Sequence, residues 1–400
     1  MFRKYDTLLL GVTIGLTIFG LAMIASVSVF ESFQITSRLV QSGDATEASN
    51  SFYLWRNFWH VISGLGLMAF FATVPYHLWE KIALPLFAVS LILLLILFVP
   101  GVGAEYGTSR SWLDIGPFSL QPSEFMKLSL ILYLAVWLQK REQLIQTLEQ
   151  GFFPFAILLT VTTFLLALQP DLGSVLVLTS IAVSMFFIAG GNIIHIIIGG
   201  AISGFLSMPF ILSKGYIRAR FLAFINPNDP TITESIGFQI NQALIAVGSG
   251  RWFGQGYGKS VQKFGYLPEV QSDMIFAAMG EELGFFRLLI ILSLFSILII
   301  RGYRIAQLAP DRFGLLVAAG ITSWIAFQSV INIAVNLALM PITGLTLPLI
   351  SYGGSSHWSL LAAIGILLNI SSRTTENTMT TRRRERRGIY NAIARPLRNT

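Results

Sequence analysis

The chain has 400 residues, of which 54% are hydrophobic, only 12% are charged and 31 are phenylalanine. Soluble domains carry roughly 25% charge, so this composition excludes a soluble globular protein and indicates an integral membrane protein. The formal charge of +7 is concentrated at one end, where residues 371–400 hold eight arginines against Glu376 and Glu385. A solvated cationic tail suits anionic membrane lipid, and no nucleic-acid partner is expected. The chain has no cysteine, hence no disulfide framework and no thiol chemistry.

Ten apolar runs come near the roughly 20 residues needed to cross the hydrocarbon of a bilayer. They lie at about 7–30, 55–74, 81–99, 120–138, 152–168, 172–189, 192–212, 274–300, 313–340 and 351–371. Each is apolar all round rather than alternating at period two, which predicts helices and an all-α polytopic fold. The first run follows Arg3 and Lys4 but is longer than a usual signal-peptide core, so a retained anchor is predicted. An even number of spans puts both termini on one side, together with Lys81, Lys140, Arg141, Arg301, Arg304, Arg312 and the arginine-rich tail. The positive-inside rule makes that side the cytoplasm. The division is then a membrane domain over 1–372, with one large extracytoplasmic loop at about 213–277 between helices 7 and 8, and a basic cytoplasmic tail over 373–400.

This topology gathers the polar stretches at the external helix ends. Glu124 and Lys127 lie three apart at a helix start, where they share a face; an internal ion pair and a functional role both stand. Asp171 either caps the helix that follows it or faces a cavity. Trp112 suits an interfacial anchor and Arg110 a headgroup ligand, or both face a substrate. The run Ser351-Tyr352-Gly353-Gly354-Ser355-Ser356 opens backbone N–H groups at a helix start, fit for an anion or a plain turn. Arg218, Arg220, Lys259 and Lys263 in the long loop would offset a pyrophosphate, or form a cationic surface. Asp273 stands where the loop becomes a helix, beside Met274-Ile275-Phe276, so partial desolvation would raise its pKa and improve it as a proton acceptor; a capping role is the alternative. Glu281 and Glu282 follow, one of them placed to face the cavity with Arg287 in reach.

Four motifs carry a family resemblance across essentially the first 372 residues. They are Trp112-Leu113-Asp114-Ile115-Gly116 with Gln121-Pro122-Ser123-Glu124 and Lys127; Gln169-Pro170-Asp171-Leu172-Gly173; Gly265 to Gly284; and Gly344-Leu345-Thr346-Leu347-Pro348 with Ser351 to Ser356. On these the chain resembles the SEDS family of cell-wall polymerases, which includes FtsW, RodA and SpoVE. The residues Ser260 to Phe264 and Gly344-Leu345-Thr346 look more like its division branch, FtsW, than its elongation branch, RodA. The resemblance implies a glycosyltransferase that polymerises lipid II at the outer face of the cytoplasmic membrane, with Asp273 as general base and Glu124, Lys127 and Asp171 lining a cavity. It also implies a class B penicillin-binding protein as transpeptidase partner, alongside other division proteins. No cofactor is assigned; a divalent cation, Mg or Mn, would suit the substrate pyrophosphate.

Three positions depart from the family pattern. Gln271-Ser272 precede Asp273 where His-Thr is usual, Ser111 stands where an Arg is usual, and His357 replaces an aliphatic residue. A lipid II flippase, an elongation-type (RodA-like) polymerase and a divisome scaffold for a transpeptidase remain as alternative functions. The one-sided placement of polar motifs argues against the flippase.

Overall fold

A computed structural model describes residues 5–44, 46–101, 103–106, 109–115, 118–226 and 236–373. The helices in chain order are α1 Thr7–Val27, α2 Val29–Ser42, α3 Phe52–Thr73, α4 His77–Ile96, α5 Pro122–Lys140, α6 Phe153–Leu168, α7 Leu172–Ile188, α8 Ile193–Ser213, α9 Gly215–Ile225, α10 Ile236–Gly250, α11 Ile275–Gln307 and α12 Arg312–Asn336. A last helix, α13, covers 354–373. A helix therefore overlies each of the ten apolar runs. Among the described residues, five segments are long and apolar enough to cross a membrane: α1, α4, Leu148–Leu168, α11 and α12. The basic tail from 374 onward lies outside the described residues.

One expectation needs correction. The fold is not purely helical, because the segment between α4 and α5 forms a small antiparallel sheet of β1 Gly103–Tyr106, β2 Ser109–Ile115 and β3 Phe118–Leu120. Trp112 pairs with Ala104 across β1 and β2. The alternation of Ser109 to Ile115 suits a strand exposed on one face, a period hidden among the glycines around it. The long loop, for its part, contains α9 and α10 and is folded.

Helix starts follow their capping chemistry. Asp6 accepts from the Leu9 N–H at 2.9 Å, Asp171 from Ser174 at 3.0 Å and Asp311 from Gly314 at 2.7 Å, while α5 opens on Pro122, whose missing N–H costs nothing there. Helix α12 is the axis of the bundle, with 78% of its apolar window buried against 22% for α4. Its polar residues Gln328, Asn332 and Asn336 recur every fourth position and so share one face. At the opposite end of the bundle, ion pairs Arg301–Asp6 and Arg312–Glu142 and the Tyr76–Asp311 hydrogen bond tie neighbouring helices.

Helix α11 is two helices. Gly284 breaks it with φ 76° and ψ 176°, a region essentially closed to residues with a Cβ. The predicted span starting at 274 is therefore a short buried helix over 275–283 followed by a long one over 285–307. A break in an apolar environment strands backbone polar groups. Segment 251–256 satisfies them: Gln255 N–H donates to Glu281 O (2.9 Å), Gly256 N–H to Glu282 O (3.0 Å), and the N–H groups of Phe285 and Phe286 donate to Arg251 O (2.9 Å) and Trp252 O (3.2 Å). This pairing requires close backbone approach, which Gly250, Gly254, Gly280 and Gly284 permit; a Cβ on Gly284 would run into the Gly254 nitrogen.

Glu281 and Glu282, at the end of the short helix, are buried to 2% and 0% exposure. Glu281 accepts from Ser260 Oγ (2.5 Å) and the Val261 N–H (2.9 Å). Glu282 accepts from Ser26 Oγ (2.6 Å) and from Lys263 Nζ (3.2 Å), whose ammonium also donates to Gly258 O at 2.6 Å. Neither carboxylate faces a cavity, and Arg287 donates to Phe253 O instead of pairing with them. Loop, α1 and α11 thus meet at one buried ion pair.

Two substitutions test this arrangement. Gly284→Ala should destabilise the protein by about 3 kcal/mol through forced φ and backbone overlap, seen as a lower melting temperature in detergent, whereas Gly66→Ala, which meets nothing within 4 Å, should leave it unchanged. Lys263→Met should cost about 3–5 kcal/mol by leaving Glu282 buried and unpaired, with much of the loss recovered in Lys263→Met combined with Glu282→Gln.

Candidate active site

The turn before α11 builds the site. Glu269 adopts φ 54°, and its carbonyl accepts from the N–H groups of Ser272 (3.1 Å) and Met274 (3.2 Å), curling the chain so that Asp273 points inward. From α12, Asn332 and Asn336 each donate through Nδ2 to the Asp273 carbonyl at 2.8 Å. Asn336 Oδ1 also accepts from the Ala277 N–H at 2.9 Å, capping the short helix whose own cap position, Met274, offers no side-chain acceptor. From the α13 side, Tyr352 N–H donates to Gln271 O at 2.8 Å.

Asp273 is only 7% exposed, and its Oδ1 has no hydrogen-bond partner among the described residues. Burial first, then the Glu269 carboxylate, push this carboxyl up to about 8, against the pull of its backbone hydrogen bonds and of Arg220. Glu31 on α2 is likewise raised by burial and by Glu269, which places the first extramembrane helix beside the same turn.

Arg220 comes from α9. Its guanidinium lies over the Tyr216 ring at 5.8 Å, and Nη1 is buried with no partner among the described residues. Burial raises the Tyr216 hydroxyl, Arg220 lowers it and Asp171 raises it, so the three groups share one neighbourhood. Asp171 uses Oδ1 as the α7 cap and keeps Oδ2 buried and unpartnered. Helix α9 thereby carries Arg220, whose charge acts on Asp273, and Tyr216, on which both Arg220 and Asp171 act. Arg218 and Lys259 remain exposed. Lys263, expected at the pyrophosphate, is instead committed to Glu282 and is only 4% exposed; its neighbour in sequence gave no sign of that pairing.

Glu124 and Lys127 form the internal ion pair, at 2.6 Å and with side-chain exposures of 5% and 0%. Lys127 also donates to Gln328 Oε1 (3.0 Å) and stands over Trp324 at 5.0 Å. Gln328 passes the connection to Thr346 O at 3.0 Å. The hydroxyls of the Ser351 to Ser356 run are used internally: Ser351 Oγ accepts from Leu347 N–H (2.8 Å), Ser355 Oγ from Gln121 N–H (2.9 Å), and Ser356 Oγ meets Thr346 Oγ1 at 3.2 Å. Through these hydroxyls the run braces the starts of α5 and α13 against Thr346 and Leu347. His357, buried to 3%, places Nδ1 2.8 Å from Gly353 O; a carbonyl partner requires the proton on Nδ1, and the ring serves the same turn. Trp112 is half-buried on β2, Ser111 Oγ reaches Gln169 O at 3.5 Å, and the side chain of Arg110 lies outside the described residues.

Sequence reasoning missed the α12 amides. The signal was present as Gln328, Asn332 and Asn336 at four-residue spacing in an apolar helix, a pattern that puts hydrogen-bonding groups on a protein-facing stripe.

The family profile described as "Cell cycle protein", covering FtsW, RodA and SpoVE, matches residues 6–376. The stage V sporulation protein E of Bacillus subtilis is 45% identical over 316 residues, covering 78% of this chain and 85% of its own length. A probable peptidoglycan glycosyltransferase FtsW of Trichlorobacter lovleyi is 39% identical over 374 residues, covering 92% and 93%. Among solved structures, a chain of a peptidoglycan synthase complex that coordinates polymerization and crosslinking superposes with a TM-score of 0.74 at 27% identity, covering 93% of this chain and 99% of that one. The rod shape determining protein RodA of Thermus thermophilus gives 0.65 at 27% identity, covering 92% and 97%. The buried polar helix ends, the folded long loop and these matches over nearly the whole length agree: the chain belongs to the FtsW, RodA and SpoVE family of cell cycle proteins.

Proposed function

We infer that this multi-pass membrane protein is a peptidoglycan glycosyltransferase of cell division, polymerising lipid II at the outer face of the cytoplasmic membrane. The observation that carries the chemistry is Asp273: a carboxylate nine-tenths buried, with one oxygen unpartnered among the described residues and the charge of Arg220 acting on it. In the proposed step the 4-hydroxyl of the acceptor GlcNAc gives its proton to Asp273 as its oxygen attacks C1 of the donor MurNAc. The bond from C1 to the pyrophosphate oxygen breaks, and undecaprenyl pyrophosphate leaves with the electron pair and with inversion. Arg220 supports this reading as the group that offsets charge on the leaving pyrophosphate, since its Nη1 lies buried without a partner.

The bundle supports the topology proposed with it. The start of α13 meets the residue before α5, and the end of α12 meets the Asp273 carbonyl, whereas Arg301 and Arg312 pair with Asp6 and Glu142 at the other pole. Both termini are then cytoplasmic and the site extracytoplasmic. Among the described residues no group of three or more His, Cys, Asp or Glu side chains is placed to hold a metal ion. A divalent cation is therefore proposed to arrive on the substrate's own pyrophosphate oxygens. A class B penicillin-binding protein is the proposed partner.

Asp273→Asn should lower lipid II polymerisation by the purified protein about 10²–10⁴-fold with an unchanged melting temperature, the size expected for losing a general base; a normal rate would remove Asp273 from the reaction. A second outcome concerns pH. The base must be ionised to act, so the wild-type rate constant should rise as pH increases through about 8, read from initial rates of strand formation between pH 6 and 9.

A further inference from the structure

A general base needs direction as well as a suitable pKa. The peptide unit joining Asp273 to Met274 is pinned at both ends. Its carbonyl accepts from Asn332 Nδ2 and Asn336 Nδ2, both at 2.8 Å, and its N–H donates to Glu269 O at 3.2 Å. A carbonyl oxygen has two lone pairs, and here one helix occupies both. The direction of the Asp273 side chain follows from that plane.

The orientation of the amides is dictated by their partners. Asn332 Nδ2 meets a second carbonyl, Leu345 O, at 2.7 Å, and Asn336 Nδ2 meets Asn332 O at 2.9 Å; oxygens facing oxygens in place of those nitrogens would repel. Helix capping explains Asn336 Oδ1 on Ala277, but it explains neither Asn332 nor the double occupation of the Asp273 carbonyl. Asn332 Oδ1, in a residue 1% exposed, is left without a partner. A buried acceptor in that condition costs about 1–3 kcal/mol, and Asp273 Oδ1 shares the condition among the described residues.

We propose that Asn332 and Asn336 are positioning residues for glycosyl transfer, a two-amide clamp that fixes the main chain of Asp273 so that its carboxylate meets the acceptor hydroxyl. The clamp rests on the reading of Asp273 as the base. It acts only through Asp273, so both the rate constant and its pH dependence depend on it. Asp273 is faced by Glu269 from its own turn and by Arg220 from α9, while α12 presents only the amides. Removing an amide therefore changes the burial and aim of Asp273 without adding or removing a charge.

The test uses the full chain reconstituted in lipid vesicles and supplied with lipid II. Asn332→Ala and Asn336→Ala should lower kcat about 100-fold, the cost of misplacing a reacting group by about 1 Å, with little change in KM. The midpoint of the acidic limb should move down by about one pH unit or more as Asp273 gains solvent. Asn332→Ser, which leaves the Asn336 cap on Ala277 intact, serves where an alanine variant does not fold. An unchanged kcat, or a lower kcat with the limb unmoved, overturns the clamp, as does failure of all three variants to fold, which assigns the amides to structure. Asp273→Asn is run in parallel: a wild-type rate there is the failure of the base assignment itself, whereas an inactive Asp273→Asn with unmoved limbs in the asparagine variants is failure of the clamp alone.

Discussion

The constraint on which this structure depends is the need to satisfy broken backbone inside an apolar bundle. Gly284 interrupts α11, and four backbone hydrogen bonds from segment 251–256 complete the groups it strands. In hydrocarbon each unsatisfied group costs several kcal/mol, so the break exists only with its partner segment docked. That docking draws the long loop into the bundle. The buried Lys263–Glu282 pair and Ser26 then fasten it to α1. The loop is consequently a fixed wall of the site, and Asp273 inherits its placement from an interaction eleven residues away.

The same logic explains why polar side chains in this protein are spent so differently. Glu124, Lys127, Ser351 and Ser355 are buried and mutually satisfied, and they hold helix ends in register. Asp273, Asp171 and Arg220 are buried with an atom left over. Retained polar groups of the first kind contribute geometry, and groups of the second kind are those that a ligand would complete under the proposed function. Division between the two kinds separates scaffold from chemistry more sharply than residue type does.

Much of this was legible in the sequence. Apolar runs located the helices and the motifs located the family, and the loop-to-helix position of Asp273 is where the structure has a buried carboxylate. Four things were hidden for physical reasons. Lys263 reads as a free cation because its partner, Glu282, is reached only through the Gly284 break, a tertiary event with no local signature. The strand at Ser109 to Ile115 is masked by glycines, and serines in Ser351 to Ser356 cannot reveal from composition whether their hydroxyls face a ligand or a neighbouring helix. The α12 amides had a visible period but no chemistry until the Asp273 carbonyl was placed against them.

Gln328, Asn332 and Asn336 have one further consequence. Eight residues of helix span about 12 Å, so α12 is a ruler whose two ends touch the Glu124–Lys127 pair and the Asp273 turn. Sliding or twisting this helix by a single residue would carry all three amides off their partners together, by about 100° of rotation. The separation of the two polar centres is thus quantised by the helical repeat, and an insertion or deletion between positions 328 and 336 would uncouple them more completely than any substitution at either end.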